Sequence, residues 1–207
     1  MFKLFRQPEW GEFFVCGADP AEGGDYCSAT WKSKKHADTV LSYRARIEST
    51  QFAYEIEKGG KFLFKATGLW PCVGVERNTG IATISKLLDL NYPNLFKMKS
   101  FDRQTKKEEE KIGWHTNTGT RPKLLDDHSL SIRQGVNKIF DKVTVREHMT
   151  FIRNPKTGKP EAEEGMNDDT VFSEGIAWQL YQIVPTPALE AYVAPKNDIT
   201  RQNWGLE

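Results

Sequence analysis

The sequence lacks the features of a membrane-spanning protein and of a disulfide-bonded protein. Its longest apolar runs are far shorter than the ~20 residues that a membrane-spanning helix needs. The N-terminal segment MFKLFRQPEWGEF has no long apolar stretch with a small-residue cleavage site, which argues against a secretory signal. Cys16, Cys27 and Cys72 include no CxxC pair and leave one cysteine unmatched, so we expect neither a disulfide framework nor a structural zinc site. These absences favour a protein that stays in the cytoplasm in which it is made.

An excess of charge of one sign is also missing. The 207 residues include 29 Lys and Arg against 28 Asp and Glu, for a net charge of +1. Bulk charge therefore does not mark the chain as a nucleic-acid-binding protein, although a polyanion responds to local fields rather than to the average. The four histidines stand in unrelated turn, strand and helix contexts, and we assign none of them to catalysis.

What the sequence does contain is the pattern of one mixed α/β domain. A chain of 207 residues with 38% hydrophobic residues is long enough for one well-formed core. We assign residues 1–184 to this domain and residues 185–207, which begin with PTPALEAYVAP, to an extended C-terminal tail. The opening runs EFFVCGAD, YCSATWKS and TVLSYRARIE predict three strands that short connections join into an antiparallel meander.

The rest of the chain alternates predicted helices and strands. STQFAYEIEKGG predicts a short helix that ends at its glycine pair, and WPCVGVER predicts a strand before the amphipathic helix NTGIATISKLLDL. NLFKMK predicts a further strand, and KVTVRE and MTFIRN predict a pair of strands. TRPKLLDDHSLSIRQGVNKIF and NDDTVFSEGIAWQLYQI predict helices. The expected fold class is α/β, with three antiparallel strands, then parallel strands, and helices on both faces of the sheet.

Acidic residues recur where predicted strands end and where a predicted helix begins. Asp19 ends the first strand, Glu76 ends the strand before the NTG helix, and Asp168 and Asp169 open the last helix. In α/β proteins such positions gather at one edge of the sheet. Crowded carboxylates repel one another unless a cation neutralises them, and oxygen ligands without histidine or cysteine favour Mg²⁺ or Mn²⁺ over Zn²⁺. Two such ions about 4 Å apart suit phosphodiester hydrolysis.

Each acidic position also has an ordinary structural interpretation. The segment DPAEGGD, from Asp19 to Asp25, has the composition of a polar turn, and NDD is a typical N-cap sequence. Glu76 can simply lead into a capped helix. The joint recurrence of acids at strand ends and at a helix start favours a site over three unrelated local features.

Four blocks of the sequence occur in a recognisable order. They are GADPAEGGD, CVGVERNTGIATISKLL, GWHTNTGTRPKLLDDHSLSI and GMNDDTVFSEGIAWQL. In sequence and spacing, this combination resembles the nuclease domain of the phage large terminase subunit, a member of the ribonuclease H-like superfamily, over residues 13–181. The resemblance implies a ribonuclease H-like fold and an endonuclease that cuts concatemeric double-stranded viral DNA during genome packaging. It also implies Mg²⁺ or Mn²⁺ as the cofactor, bound as two ions.

The resemblance further implies roles for individual carboxylates, matched by their positions in the four blocks. Asp19, Glu76 and Asp168 correspond to the catalytic carboxylates, which also bind the metal. Asp25, after the glycine turn, and Asp169 complete the metal-binding set.

Two departures from the pattern of a full-length large terminase are visible. Many relatives carry histidine where this chain has Asn167, a change that removes a proton carrier but no carboxylate. No GxxxxGK[ST] phosphate loop occurs, so we expect the nuclease half without the ATPase motor. By resemblance, the expected partners are double-stranded DNA, the terminase ATPase domain, the small terminase subunit and the portal. The expected location is the host cytoplasm, at the procapsid, and the isolated domain is expected to be a monomer.

DNA binding requires basic groups near the acidic cluster, and four residues are candidates. Lys32, Lys34 and Lys35 are placed in the turn after the second predicted strand, and Arg121 lies at a predicted helix start within a matched block. No recognition-helix signature or RNA-binding aromatic motif is present in the sequence, so we expect contacts to the DNA backbone with little base readout.

Three other functions remain open on the sequence alone. A Holliday-junction resolvase or another ribonuclease H-like nuclease would use the same superfold on a different substrate. A non-catalytic packaging module would keep the acidic cluster without activity and use the Pro-rich tail to dock a portal or motor partner. An actin-like ATPase is disfavoured because that fold needs two such domains and this chain is too short for them.

Overall fold

A five-stranded mixed sheet forms the centre of the protein. The computed structural model describes residues 1–21, 25–102, 107–155 and 158–187. The strands of the central sheet are β1 (Phe2–Leu4), β2 (Phe14–Asp19), β3 (Cys27–Ser33), β4 (Thr39–Ala45) and β5 (Cys72–Val75). Their spatial order is β1-β4-β3-β2-β5; every neighbouring pair is antiparallel except β2 and β5, which are parallel. The predicted meander is therefore confirmed, and the short edge strand β1 is an addition that the sequence pattern did not indicate.

Helices and two small hairpins surround this sheet. The described residues form helices α1 (Ser49–Thr67), α2 (Ile81–Asp89), α3 (Thr120–Arg133), α4 (Lys142–Thr150) and α5 (Asp169–Ile183). One hairpin pairs β6 (Lys97–Asp102) with β7 (Lys107–Ile112), and the other pairs β8 (Phe151–Arg153) with β9 (Pro160–Ala162). No helix in the described part of the chain is both long and apolar enough to cross a membrane.

The sheet separates two hydrophobic cores, as its alternating side chains require. Phe14 and Cys16 of β2 pack into a core that includes residues of α1 and α2, whereas Phe13 and Val15 pack into a core that includes residues of α3 and α5. Successive side chains of a strand point to opposite faces, so one strand can serve both cores. The expected α/β architecture with helices on both faces is confirmed.

The first helix runs further than the sequence predicts. Its glycine pair does not end it, and α1 continues to Thr67, where Gly68 in a left-handed conformation (φ 80°) donates its amide to the carbonyl of Phe64. A Cβ atom at Gly59 would lie 2.6 Å from the Trp31 ring, and one at Gly60 would lie 2.6 Å from the Tyr92 hydroxyl. The two glycines therefore allow α1 to pack closely against its neighbours.

The prediction of a strand pair at KVTVRE and MTFIRN is wrong for its first half. Residues 142–150 form α4, and only Phe151–Arg153 is a strand, which pairs with Pro160–Ala162. Asp141 caps α4 by accepting a hydrogen bond from the amide of Val143 (3.1 Å), a local start signal that outweighs the strand preference of the β-branched residues. The predicted tail, 185–207, lies almost wholly outside the described residues.

Candidate active site

Asp19 and Glu76 leave the sheet side by side, at the ends of the two parallel strands. The β2–β5 register places Ala18 opposite Val75, and each acid is the next residue after this last pair of the parallel ladder. The amide of Glu76 donates to the carbonyl of Ala18 (2.7 Å), which continues the ladder to the acids themselves. The sequence prediction that these two strand ends meet at one edge is thus consistent with the register.

Helix α5 brings its first residues over the same edge. Gly17 of β2 has no side chain, and a Cβ there would lie 2.1 Å from the carbonyl oxygen of Ser173, so the helix lies directly against the strand. Ser28, the strand partner of Asp19, forms a hydroxyl–hydroxyl contact with Ser173 (2.9 Å). Asp169 lies one helical turn before Ser173, which places the start of α5 above Asp19.

These carboxylates also influence one another electrostatically. Asp19 keeps some contact with solvent, but its carboxyl group lies deep among protein atoms, and burial followed by the charges of Glu76, Asp169 and Asp168 raises its pKa well above the usual value. Arg121 opposes that rise. The four acids therefore form one cluster, with a cation beside it.

The two acids at the start of α5 have different surroundings. Burial, and then the charge of Glu147, raises the pKa of Asp169 to about 6, although Arg44 opposes this. Burial also raises the pKa of Asp168, with Arg121 opposing and with Glu147 and Asp25 adding to the rise. Asp25 itself is exposed and acts on the cluster through Asp168.

Arg121 is the candidate DNA contact that lies at the cluster. Its Nη2 atom donates to the carbonyl of Pro160 (3.2 Å), and its guanidinium lies over the ring of Phe172 at 4.5 Å from the centroid. These contacts hold a permanently charged group beside Asp19 and Asp168.

Solved structures with a similar fold are known. No protein-family model and no protein of curated function matches the sequence. The large terminase nuclease of thermophilic phage G20c superposes with a TM-score of 0.65 and 15% identity, over 87% of this chain and 88% of that chain. The same nuclease with bound magnesium gives 0.66 and 14%, over 86% of each chain. The large terminase nuclease domain of Thermus phage P74-26 gives 0.62 and 16%, over 91% of this chain and 90% of that chain.

This chain has the large terminase nuclease fold. At identities of 14–16% the likeness concerns the fold, and it extends over most of each chain. The ribonuclease H-like architecture expected from the four sequence blocks is therefore confirmed, and the sequence resemblance to the terminase nuclease domain is matched by a structural one.

Within this terminase nuclease fold, Lys32 is not at a surface. It is fully buried, and its Nζ atom donates to the Asn137 side chain (2.7 Å) and the Thr39 hydroxyl (2.9 Å) and pairs with Glu174 (3.2 Å). The prediction that Lys32 contacts DNA is wrong, because a lysine with no exposed surface and three internal partners cannot reach a phosphate.

Lys34 and Lys35 lie beyond the end of the sheet opposite the acids. They follow Ser33, which pairs with Phe14, five residues from Asp19 and about 17 Å away along the strand at about 3.4 Å per residue. Lys34 donates to the carbonyl of Tyr181, and Lys35 pairs with Glu9. The geometry does not bring them to the cluster, and Arg121 alone of the four predicted basic residues lies there.

The residues of the cluster fit a divalent cation by their chemistry. Glu76 Oε2 accepts hydrogen bonds from the amide (3.0 Å) and hydroxyl (3.2 Å) of Thr79, whereas its buried Oε1 has no partner among the described residues. A buried carboxylate oxygen without a donor is a suitable ligand for a hard cation. Among the described residues, no three His, Cys, Asp or Glu side chains converge closely enough to coordinate one metal ion together. The cluster therefore matches a divalent-cation site in the type of its donor atoms and in its place at the sheet edge.

Two residues beside the cluster were missed by the sequence reading. Arg44 of β4 forms an ion pair with Glu147 Oε1 (2.8 Å) and donates a hydrogen bond to Asp169 Oδ2 (3.3 Å), and its guanidinium lies 3.6 Å from the Tyr26 ring centroid. Glu147 is buried, and its Oε2 accepts from the amide of Thr170 (2.8 Å). No local motif marks either residue, because their partners are distant in the chain.

Proposed function

We propose that this protein is a divalent-metal-dependent endonuclease that cuts double-stranded DNA, and that its substrate is concatemeric viral DNA during genome packaging. The observation that supports this most directly is the cluster of Asp19, Glu76, Asp168 and Asp169 at one sheet edge. It occurs in a fold shared with phage large terminase nucleases.

Asp19, Glu76 and Asp168 are the proposed catalytic carboxylates, with Asp25 and Asp169 completing the metal-binding set. Their oxygen donors suit Mg²⁺ or Mn²⁺, and we propose two ions. When bound, such ions would activate a water molecule and stabilise the leaving oxygen of a phosphodiester. The role of the protein is to hold several acids rigidly at one point, which the paired strand ends and the close contact of α5 with Gly17 provide.

Arg121 is the proposed contact for a backbone phosphate. It lies beside two of the acids, and its charge offsets the repulsion between carboxylates and DNA. The contacts to Pro160 and Phe172 restrict the guanidinium to this edge of the protein.

The proposed partners extend beyond DNA to the other parts of a packaging machine. They are a terminase ATPase domain, a small terminase subunit and a portal, acting at the procapsid in the host cytoplasm. The nuclease domain by itself is proposed to be a monomer.

A plasmid-nicking assay tests the proposal. The purified protein should nick supercoiled DNA with Mg²⁺ or Mn²⁺ and not with a chelator, and Asp19→Asn should reduce nicking to background while the circular dichroism spectrum is unchanged. Asp89→Asn, an exposed acid at the end of α2, is the control and should cut normally.

The same assay separates the other candidate functions. Preferential cleavage of four-way junctions or RNA–DNA hybrids over linear duplex would favour the resolvase or another ribonuclease H-like activity. DNA or cation binding without cleavage under every condition would favour the non-catalytic packaging module. Full cleavage by a pure preparation of Asp19→Asn would contradict the assignment of the site.

A further inference from the structure

The N-terminus of helix α5 is capped by Glu147 of helix α4 and not by its own N-cap residue, Asp168. Asp168 occupies the N-cap position, where an aspartate normally accepts a hydrogen bond from the second or third amide of the helix. Its side chain makes no such bond. The amide of Thr170, the second residue of α5, instead donates to Glu147 Oε2 of helix α4 (2.8 Å), and the Thr170 hydroxyl donates to the same oxygen.

The charge of Glu147 is balanced on its other side. Glu147 Oε1 forms an ion pair with Arg44 Nη2 (2.8 Å), and the same nitrogen donates to Asp169 Oδ2 (3.3 Å). Arg44 is fixed in turn by Tyr26, whose ring lies under its guanidinium. One strand residue thus neutralises a buried acid and restrains Asp169, while the Asp168 side chain makes no cap bond.

We propose that Glu147 is a positioning residue that caps α5 from outside, and thereby keeps the carboxylate of Asp168 available to a divalent cation. An aspartate that caps its own helix uses one carboxylate oxygen to accept a backbone hydrogen bond, so its carboxylate turns toward the helix amides. Because Glu147 satisfies the Thr170 amide, Asp168 can face the cluster instead. This inference rests on the proposed function for the cation itself, but the cap can be tested without any cation.

The cation-free test is amide hydrogen exchange at Thr170 combined with a double-mutant cycle. Asp168→Ala should leave the Thr170 amide as protected as in the wild type, because Glu147 is its acceptor. In the Glu147→Ala background Asp168 should turn to cap the helix, so adding Asp168→Ala should then accelerate exchange by about tenfold or more. Equal effects of Asp168→Ala in both backgrounds would overturn the proposal.

The second test is the affinity for Mn²⁺, measured by calorimetry. Outer partners of metal ligands typically contribute about 10–100-fold to metal affinity, and we expect Glu147→Ala to weaken binding by about tenfold or more. Glu147→Gln keeps an oxygen for the Thr170 amide and should restore most of the affinity. Equal losses in the Ala and Gln variants would show that charge, and not the cap, matters, and would overturn the proposal.

Glu12 provides a matched control. It is also a buried carboxylate that accepts from one backbone amide (Glu9, 2.8 Å), one hydroxyl (Ser33) and one arginine (Arg6), but it precedes β2, at the end opposite Asp19. Glu12→Ala should lower stability without changing Mn²⁺ affinity. An equal loss of affinity in Glu12→Ala and Glu147→Ala would assign both effects to general destabilisation and overturn the specific role of Glu147.

The two proposals fail in different ways. Absence of Mn²⁺ binding in the wild-type protein would contradict the proposed metal site, whereas the exchange cycle would still decide whether Glu147 caps α5. If Glu147→Ala does not fold, the Glu147→Gln variant carries both measurements: unchanged Thr170 protection with near-normal affinity supports the cap, and lost protection contradicts it.

Discussion

Gly17 and Ser173 lie in direct backbone contact, with no room for a side chain between them. A Cβ atom at Gly17 would lie 2.1 Å from the carbonyl oxygen of Ser173 and 2.4 Å from the amide nitrogen of Ala177. Neither atom can rotate away, because both belong to the backbone of a buried helix. This contact sets the height of α5 above the sheet.

Gly17→Ala should therefore lower the free energy of unfolding by about 3 kcal/mol, the upper part of the range for overpacked sites. Urea unfolding measures the loss. Gly119→Ala is the control, because the nearest atom to its Cβ, Asn117 Oδ1, lies 3.4 Å away, and its effect should stay within about 0.5 kcal/mol. Similar losses of unfolding free energy in the two variants would contradict a specific steric role for the Gly17 contact.

Asp19→Asn should stabilise the protein in the presence of a chelator. The carboxylate of Asp19 is crowded by Glu76 and the acids of α5, and a neutral amide of the same shape removes that repulsion. We expect a gain on the order of 1 kcal/mol, or about 2–4 °C in the melting temperature. Mn²⁺ should raise the melting temperature of the wild type and not of the variant. A lower melting temperature of Asp19→Asn with chelator, beside an unchanged Asp89→Asn control, would contradict the crowding.

Arg121→Ala should weaken the binding of duplex DNA and reduce its dependence on salt. Each phosphate contact contributes about 0.9 to the slope of log K against log salt concentration, so the slope should fall by about 1. Fluorescence anisotropy with a chelator measures this without cleavage. Arg133→Ala removes an exposed arginine at the far end of the same helix and should leave the slope unchanged. Equal slopes for wild type and Arg121→Ala would remove Arg121 from the interface.

Acid unfolding should depend on Arg6. Burial alone would raise the pKa of both Glu12 and Asp38, but hydrogen bonds from Arg6 outweigh it, with Ser33 and Glu9 also helping Glu12, and both pKa values are lowered. Groups with a lowered pKa in the folded state stabilise it above their ordinary pKa of about 4 and lose that contribution as the pH falls through the lowered values.

Arg6→Met should consequently move the midpoint of acid unfolding to higher pH and cost about 3 kcal/mol at pH 7, because it leaves two largely buried acids unpaired. Circular dichroism against pH follows the transition. Lys123→Met, which breaks an exposed pair with Asp127, should shift it little. An unchanged midpoint in Arg6→Met would contradict the role of these pairs.

The strand ends of the site can be predicted from the sequence because their signals are local. Asp19 follows a run of apolar residues that are buried on both faces of the sheet, and Glu76 follows another such run. The opening DD of α5 is likewise a local helix-start signal. Parallel pairing of two such strands then brings their ends together without any knowledge of the side chains around them.

The parts that the sequence does not reveal depend on contacts between distant residues. Lysine is a residue type usually found at the surface, yet the side chain of Lys32 is buried against Asn137 and Glu174, which lie more than a hundred residues away in the chain. Residues 142–147 alternate like a strand, and the Asp141 cap and tertiary packing make them a helix. For the same reason the sequence does not predict the role of Glu147, since its carboxylate reaches the start of α5 only when this segment is a helix.

Helix α5 is buried on every side from Thr170 to Leu180. A helix enclosed in this way cannot slide or tilt without opening the packing on both the sheet and α3. The acids at the start of α5 are therefore held firmly against those at the strand ends. If the protein is the proposed endonuclease, the DNA, rather than the protein, would have to change shape on approaching them. A duplex that resists bending should then be cut more slowly than a flexible or nicked one of the same sequence.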